Sequence, residues 1–289
     1  MRNKIPSKSL KNGFSLPVYG LGTWEMGGRY ESDSSHDEED IAAIRSAIDH
    51  GITHIDTAEM YGDGHSEELV GRAIMSYDRS TLFITSKVWK THLRYDDVLK
   101  ACERSLTRLQ TDHLDLYLIH SANDEIPLSE TVKALNTLQD KGLIKNIGVS
   151  NFAKERLAEA QKLSKYPIVC NQVHYNVMYR DPETTGLLEY CQNNDVLLTC
   201  FRPLGKRDDR VLSTIQSLQP IADKYNKTPM QIALNWLISQ KNVIVISKTT
   251  QEKHLEENLK SVDWNMEDSD IEYIRKSIPI QPDEEFSLR

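Results

Sequence analysis

The sequence predicts the α/β class, as a single (β/α)8 TIM barrel over residues 1–289 with an N-terminal β-hairpin and a short C-terminal tail. Three observations predict it. Short β-branched runs alternate with amphipathic helical patterns without a linker, the pattern of parallel strands joined by crossover helices. The strand candidates number eight, the count that closes a barrel. Polar side chains suited to chemistry stand at the ends of successive strands, where a barrel gathers its site; an open doubly wound sheet gathers them at one switch point.

In chain order, SKSL, KNG and FSLPV read as a hairpin turned at Asn12-Gly13, a strong turn dipeptide, and placed to plug the barrel floor. The strands are Val18–Gly22, Thr53–Asp56, Leu82–Ser86, Leu114–His120, Asn146–Ser150, Val169–Val173, Val196–Phe201 and Val243–Lys248. Asp96 is expected to cap a helix carrying Leu99, Cys102, Leu106 and Leu109 on one face. Pro127 opens another with Leu128, Val132, Leu135 and Leu138, which stops near Gly142. The end, QPDEEFSLR, is short and polar and is expected to leave the site open.

Composition excludes several classes. With 39% apolar and 27% charged residues the chain is globular in type. Its 35 basic against 43 acidic residues give a net charge of −8, which repels nucleic-acid backbones and removes them as expected partners. The longest aliphatic run, Val243–Ile246, is far below the ~18 residues of a membrane span, and MRNKIPSKSLKNG lacks a signal peptide's apolar stretch. A cytoplasmic monomer is expected. Cys102, Cys170, Cys191 and Cys200 form no C-x-x-C pair and read as buried thiols.

The strand ends carry Asp56, Lys87, His120, Ser150-Asn151, Gln172, Phe201 and Lys248. Gly20-Leu21-Gly22 begins a G-x-G, but Glu25 stands in the third glycine position and no helix starts there, so the dinucleotide fingerprint fails. No H-E-x-x-H or H-x-H offers metal ligands, and no metal is expected. A glycosidase needs two carboxylates at strand ends; only Asp56 qualifies clearly, with Glu59 a weak partner.

Seven blocks carry a resemblance: GLGTW (20–24), HIDTAEMYG (54–62), ITSKVW (84–89), LDLYLIH (114–120), KGLIKNIGVSNF (141–152), CNQVHYN (170–176) and SKTTQEKHLEEN (247–258). In content and order they resemble the aldo-keto reductases. The resemblance implies a barrel that reduces small aldehydes or ketones with a nicotinamide cofactor, using Asp56, Tyr61, Lys87 and His120. The residue types suit that chemistry. Hydride delivery to a carbonyl carbon leaves charge on oxygen, so a proton donor must face it. Tyr61 fills that role if the Lys87 ammonium lowers its pKa from ~10; Asp56 holds Lys87 protonated, and His120 donates to the carbonyl oxygen.

By the same resemblance the cofactor residues are Gly22, Thr23, Trp24, Asp56, Ser150, Asn151, Gln172, Phe201, Arg202, Leu204, Lys248, Thr249, Thr250, His254, Glu257 and Asn258. Thr23 and Trp24 line the nicotinamide ribose, Ser150, Asn151 and Gln172 bind the carboxamide, and Phe201 stacks on the ring. Lys248 and Thr249 meet the 2′-phosphate of NADPH, and His254 stands where the family usually has arginine, so NADPH is expected to be preferred with NADH accepted. Arg202 with Lys206, Arg207 and Arg210 is a further departure, read as a clasp over the pyrophosphate. Trp24, Tyr61, Trp89 and His120 are expected to hold a small carbonyl substrate. The alternative is a cofactor-binding regulatory subunit with little turnover.

Overall fold

The computed structural model describes residues 5–205, 209–282, 285, 286 and 288. Strands β1 (Ser7–Ser9) and β2 (Ser15–Pro17) pair antiparallel as the expected hairpin. Its turn uses Gly13 at φ +90, a conformation glycine adopts freely, and Asn12 Oδ1 accepts the Phe14 N–H at 2.9 Å. Leu10, Phe14 and Leu16 pack with Leu116, Leu118, Cys170, Leu197 and Ile244 from the lower parts of the barrel strands, so the hairpin closes the floor.

The barrel strands are β3 (Tyr19–Gly22), β4 (His54–Asp56), β5 (Phe83–Val88), β6 (Leu116–Ile119), β7 (Ile147–Ser150), β8 (Ile168–His174), β9 (Leu197–Phe201) and β10 (Val243–Ser247). They form a closed parallel barrel in which β10 pairs back onto β3. Nearly every strand residue is buried, as expected for a parallel sheet covered on both faces. Gly20 shows how tight the interior is. A Cβ there would come within 2.6 Å of His54 Nδ1.

Two sequence expectations shift. β5 runs to Val88 because Lys87 and Val88 still pair with Leu118 and Ile119, so Lys87 lies within the strand and does not follow it. The third long helix starts at Tyr95 with Arg94 as its N-cap, placing Asp96 in the first turn and not at the cap. The free N–H of Tyr95 is satisfied instead by Glu130 Oε1 of the next helix, at 3.0 Å. That helix spans Leu128–Asp140 behind Pro127, and the chain turns away at Gly142 with φ +73. All four cysteines are buried free thiols.

Candidate active site

β4 and β5 are neighbours in register, Asp56 beside Thr85, which brings Asp56 and Lys87 together at the upper rim. Lys87 Nζ donates to Asp56 Oδ1 at 2.6 Å, to the Thr57 carbonyl at 2.8 Å and to Tyr61 Oη at 3.0 Å. The ammonium is fully buried, so its three donors are matched by three acceptors. Tyr61 reaches it through a sharp turn in which Gly62 has φ +55 and passes so close to Gly27 that a Cβ would lie 2.3 Å from its carbonyl oxygen.

Electrostatics distinguish the members. Burial works against the charge on Lys87, but Asp56 and Tyr61 outweigh it and the pKa is raised. For Tyr61, burial raises the phenol pKa and the Lys87 charge opposes without overcoming it. The expectation of a net-lowered tyrosine is thus corrected: Tyr61 is a neutral phenol whose oxygen accepts a hydrogen bond from the buried Lys87 ammonium. His120 is pushed well below its ordinary value, by burial first and by Lys87 second, and is a neutral imidazole.

Aromatic rings wall this group. Trp24 meets Tyr61 edge-on at 5.0 Å, Tyr61 meets His120 at 5.6 Å, and His120 meets Trp89 at 5.0 Å. Thr23 is fixed beneath them: its hydroxyl donates to the Asp56 carbonyl at 3.1 Å and accepts from Ser66 at 2.9 Å. Gly22 pairs with Asp56 across β3 and β4.

Farther round, Ser150 and Gln172 are register partners on β7 and β8. Ser150 Oγ donates to the Gln172 carbonyl at 2.8 Å, and Asn151 Nδ2 donates to Ser150 Oγ at 3.1 Å and to the His120 carbonyl at 3.2 Å. The Gln172 side chain donates to Asp56 Oδ2 at 2.7 Å, which joins it to the lysine group.

Phe201, at the end of β9, stacks on His174 at 5.5 Å and 10°. The tail reaches this corner. Phe286 packs edge-on against Phe201 at 5.0 Å, and Arg202, left-handed at φ +49, donates to Glu285 Oε2 at 3.0 Å. The open mouth expected beside a short polar tail is therefore partly covered. Leu204 packs against the core. Lys206 and Arg207 lie outside the described residues, as does the side chain of Arg210.

Beyond β10, Lys248 and Thr250 border a cleft of about 790 Å³ whose other wall includes Asp40 and Glu39. Thr249 Oγ1 accepts the Gln251 N–H at 3.2 Å just ahead of the helix Glu252–Leu259, which carries His254, Glu257 and Asn258. Asn258 is buried and donates to Tyr19 Oη at 3.2 Å, and the Glu257 carbonyl accepts from Gln231.

The sequence reading missed the Thr57 carbonyl, Ser66, His174 and the tail residues Glu285 and Phe286. A backbone acceptor leaves no trace in residue identity. The tail residues, at the far end of the chain from β4 and β5, gave no local sign of contact.

Comparison with known proteins shows the family and the fold. The profile of the Aldo/keto reductase family matches residues 19–279. Methylglyoxal reductase YeaE of Escherichia coli (strain K12) is 35% identical over 272 residues, covering 92% of each chain. The crystal structure of a thermostable aldo-keto reductase, Tm1743, in complex with the inhibitor epalrestat is similar at 46% identity and a TM-score of 0.89, over 93% of this chain and 98% of that one. An aldo/keto reductase from Klebsiella pneumoniae in complex with NADP and acetate is similar at 33% identity and a TM-score of 0.84, over 99% and 100% of the two chains.

Proposed function

The chain belongs to the aldo/keto reductase family, and from that premise we propose that it reduces small aldehydes or ketones to alcohols with NADPH, Tyr61 being the proton donor. The observation that carries the reading is the buried Lys87 ammonium held at 2.6 Å from Asp56 and 3.0 Å from Tyr61 at the barrel mouth. Such an ammonium beside a phenol oxygen stabilises the phenolate left when the proton departs.

Fit to a nicotinamide is supported by Asn151 Oδ1, which is buried with no hydrogen-bond partner among the described residues, next to Ser150 and Gln172; a carboxamide NH2 is the donor it lacks. Phe201 offers an aromatic ring at the same mouth. Arg202 supplies positive charge for the pyrophosphate, and Lys248, Thr249 and His254 supply the 2′-phosphate end, beside the N-terminus of the helix Glu252–Leu259. The family resemblance assigns Gly22, Leu204, Thr250, Glu257 and Asn258 to the rest of that path.

When bound, NADPH supplies the hydride that forms the new C–H bond at the carbonyl carbon. Tyr61 Oη gives its proton to the carbonyl oxygen, completing the alcohol, and Lys87 stabilises the phenolate until solvent returns a proton. His120, neutral and with Nδ1 lacking a partner among the described residues, gives an N–H to the same oxygen and orients the substrate between Trp24 and Trp89. Among the described residues no helix is long and apolar enough to cross a membrane.

The test is NADPH absorbance with a panel of short aldehydes and ketones. Turnover with several of them is expected. Tight cofactor binding with no turnover on any would contradict the reading and favour a regulatory subunit.

A further inference from the structure

Glu59 sits on the loop between Asp56 and Tyr61, buried, yet outside the Asp56–Lys87–Tyr61 group. Its Oε1 accepts the Trp89 N–H at 2.6 Å and pairs with His92 Nδ1 at 3.0 Å, while Oε2 lies 3.6 Å from Arg104 Nη2. Its own N–H donates to the Lys87 carbonyl at 3.3 Å. One residue of the Tyr61 loop therefore grips the Lys87 strand on both sides of Val88.

The grip answers a local need. β5 ends at Val88, so the Trp89 N–H has left the strand ladder that pairs Val88 with Ile119. Unsatisfied in a buried setting, such a donor costs ~1–3 kcal/mol. A carboxylate oxygen suits the place because two N–H donors converge on it and a guanidinium faces its twin. The same tie fixes the Trp89 ring, which stands 5.0 Å from His120.

We propose that Glu59 is a positioning residue for the reduction: it staples the loop carrying Tyr61 to the strand carrying Lys87, and so sets both the phenol-to-ammonium separation and the stance of Trp89 against His120. This rests on the reductase reading above. Glu59 touches no reacting atom; it acts through Tyr61 and Trp89. A displacement of about 1 Å in such a group is enough to cost ~10²-fold in rate.

The experiment is a double-mutant cycle between Glu59→Ala and Tyr61→Phe, in the full chain, with kcat, KM and NADPH affinity by fluorescence titration. Glu59→Ala alone is expected to lower kcat by ~10- to 100-fold with NADPH affinity within about twofold, and Glu59→Gln, which keeps an acceptor for Trp89, to recover most of it. In the Tyr61→Phe background Glu59→Ala should cost at least several-fold less than it does in wild type, because the hydroxyl whose separation from Lys87 it sets is gone and only its hold on Trp89 remains. A merely structural role predicts the same loss in both backgrounds, and that result, or an unchanged kcat in Glu59→Ala, overturns the proposal. If Glu59→Ala does not fold, Glu59→Asp, one methylene too short to reach Trp89, goes through the same cycle with the same criteria. A wild-type chain that binds NADPH and reduces nothing overturns the reductase reading and this assignment together, whereas an active wild type with an additive cycle overturns only the role of Glu59.

Discussion

Gln172 Nε2 donates to Asp56 Oδ2 at 2.7 Å across the barrel mouth, so the carboxylate that holds Lys87 by one oxygen is itself held by the other. Resemblance alone had assigned Gln172 to the cofactor carboxamide. The geometry adds a second task, keeping Asp56 aimed at Lys87.

Gln172→Ala is therefore expected to lower kcat by ~10-fold in addition to weakening NADPH binding, since it leaves a buried carboxylate oxygen without its donor. Steady-state kinetics beside a fluorescence titration of NADPH separate the two effects. A loss confined to cofactor affinity would restrict Gln172 to the carboxamide.

Lys87→Met strands Asp56 with a buried charge and Tyr61 without its cation. Removing one partner of a buried pair costs ~3–5 kcal/mol, here moderated by Gln172, so a lower melting temperature should accompany a fall in kcat of ~10²-fold or more. Combined with Tyr61→Phe, the loss should be far smaller than the product of the single losses. Full multiplicativity would mean that the two residues do not act as a unit.

His54 couples the barrel interior to pH. Burial lowers its pKa to about 4, with Nε2 paired to Thr85 Oγ1 at 3.0 Å and Nδ1 without a partner among the described residues. The unfolded chain takes up this proton near pH 6.5 and the folded chain only near pH 4. Stability is thus present above pH 6.5 and is lost as pH falls through that window, by about 3 kcal/mol for the whole span. Urea midpoints measured from pH 7 to pH 5 should fall less in His54→Gln than in wild type. Equal slopes in both proteins would show that His54 does not carry the effect.

On the proposed reading, His254 gives the 2′-phosphate a weaker clamp than arginine would. Arginine offers two parallel donors in a fixed fork that matches a phosphate, which an imidazole does not. His254→Arg is expected to raise the kcat/KM ratio of NADPH over NADH several-fold. An unchanged ratio would place His254 away from the 2′-phosphate.

Much of this was legible in the sequence because barrel strands report themselves locally. β-branched runs marked the eight strands to within a residue or two at most ends, and polar residues at or near the ends of several of them pointed to Asp56, Lys87, His120, Ser150 and Gln172. What was not legible depends on contacts between distant segments. Gln172 and Asp56 are 116 residues apart, and nothing local in either tells which atom the amide will meet. Glu130 takes the capping task that Asp96 was expected to perform because the neighbouring helix happens to offer a carboxylate there. The sign of the Tyr61 shift likewise required burial, which competes with the Lys87 charge and is not written in the motif.

The central claim is that Tyr61 is the proton donor. The most direct measurement is single-turnover reduction of a small aldehyde by saturating NADPH, in wild type and Tyr61→Phe, with cofactor affinity measured in parallel. A fall in rate of ~10²-fold or more with cofactor affinity nearly unchanged is expected, because Phe keeps the ring against Trp24 and removes only the hydroxyl beside Lys87. Reduction at a near-normal rate in Tyr61→Phe would contradict it.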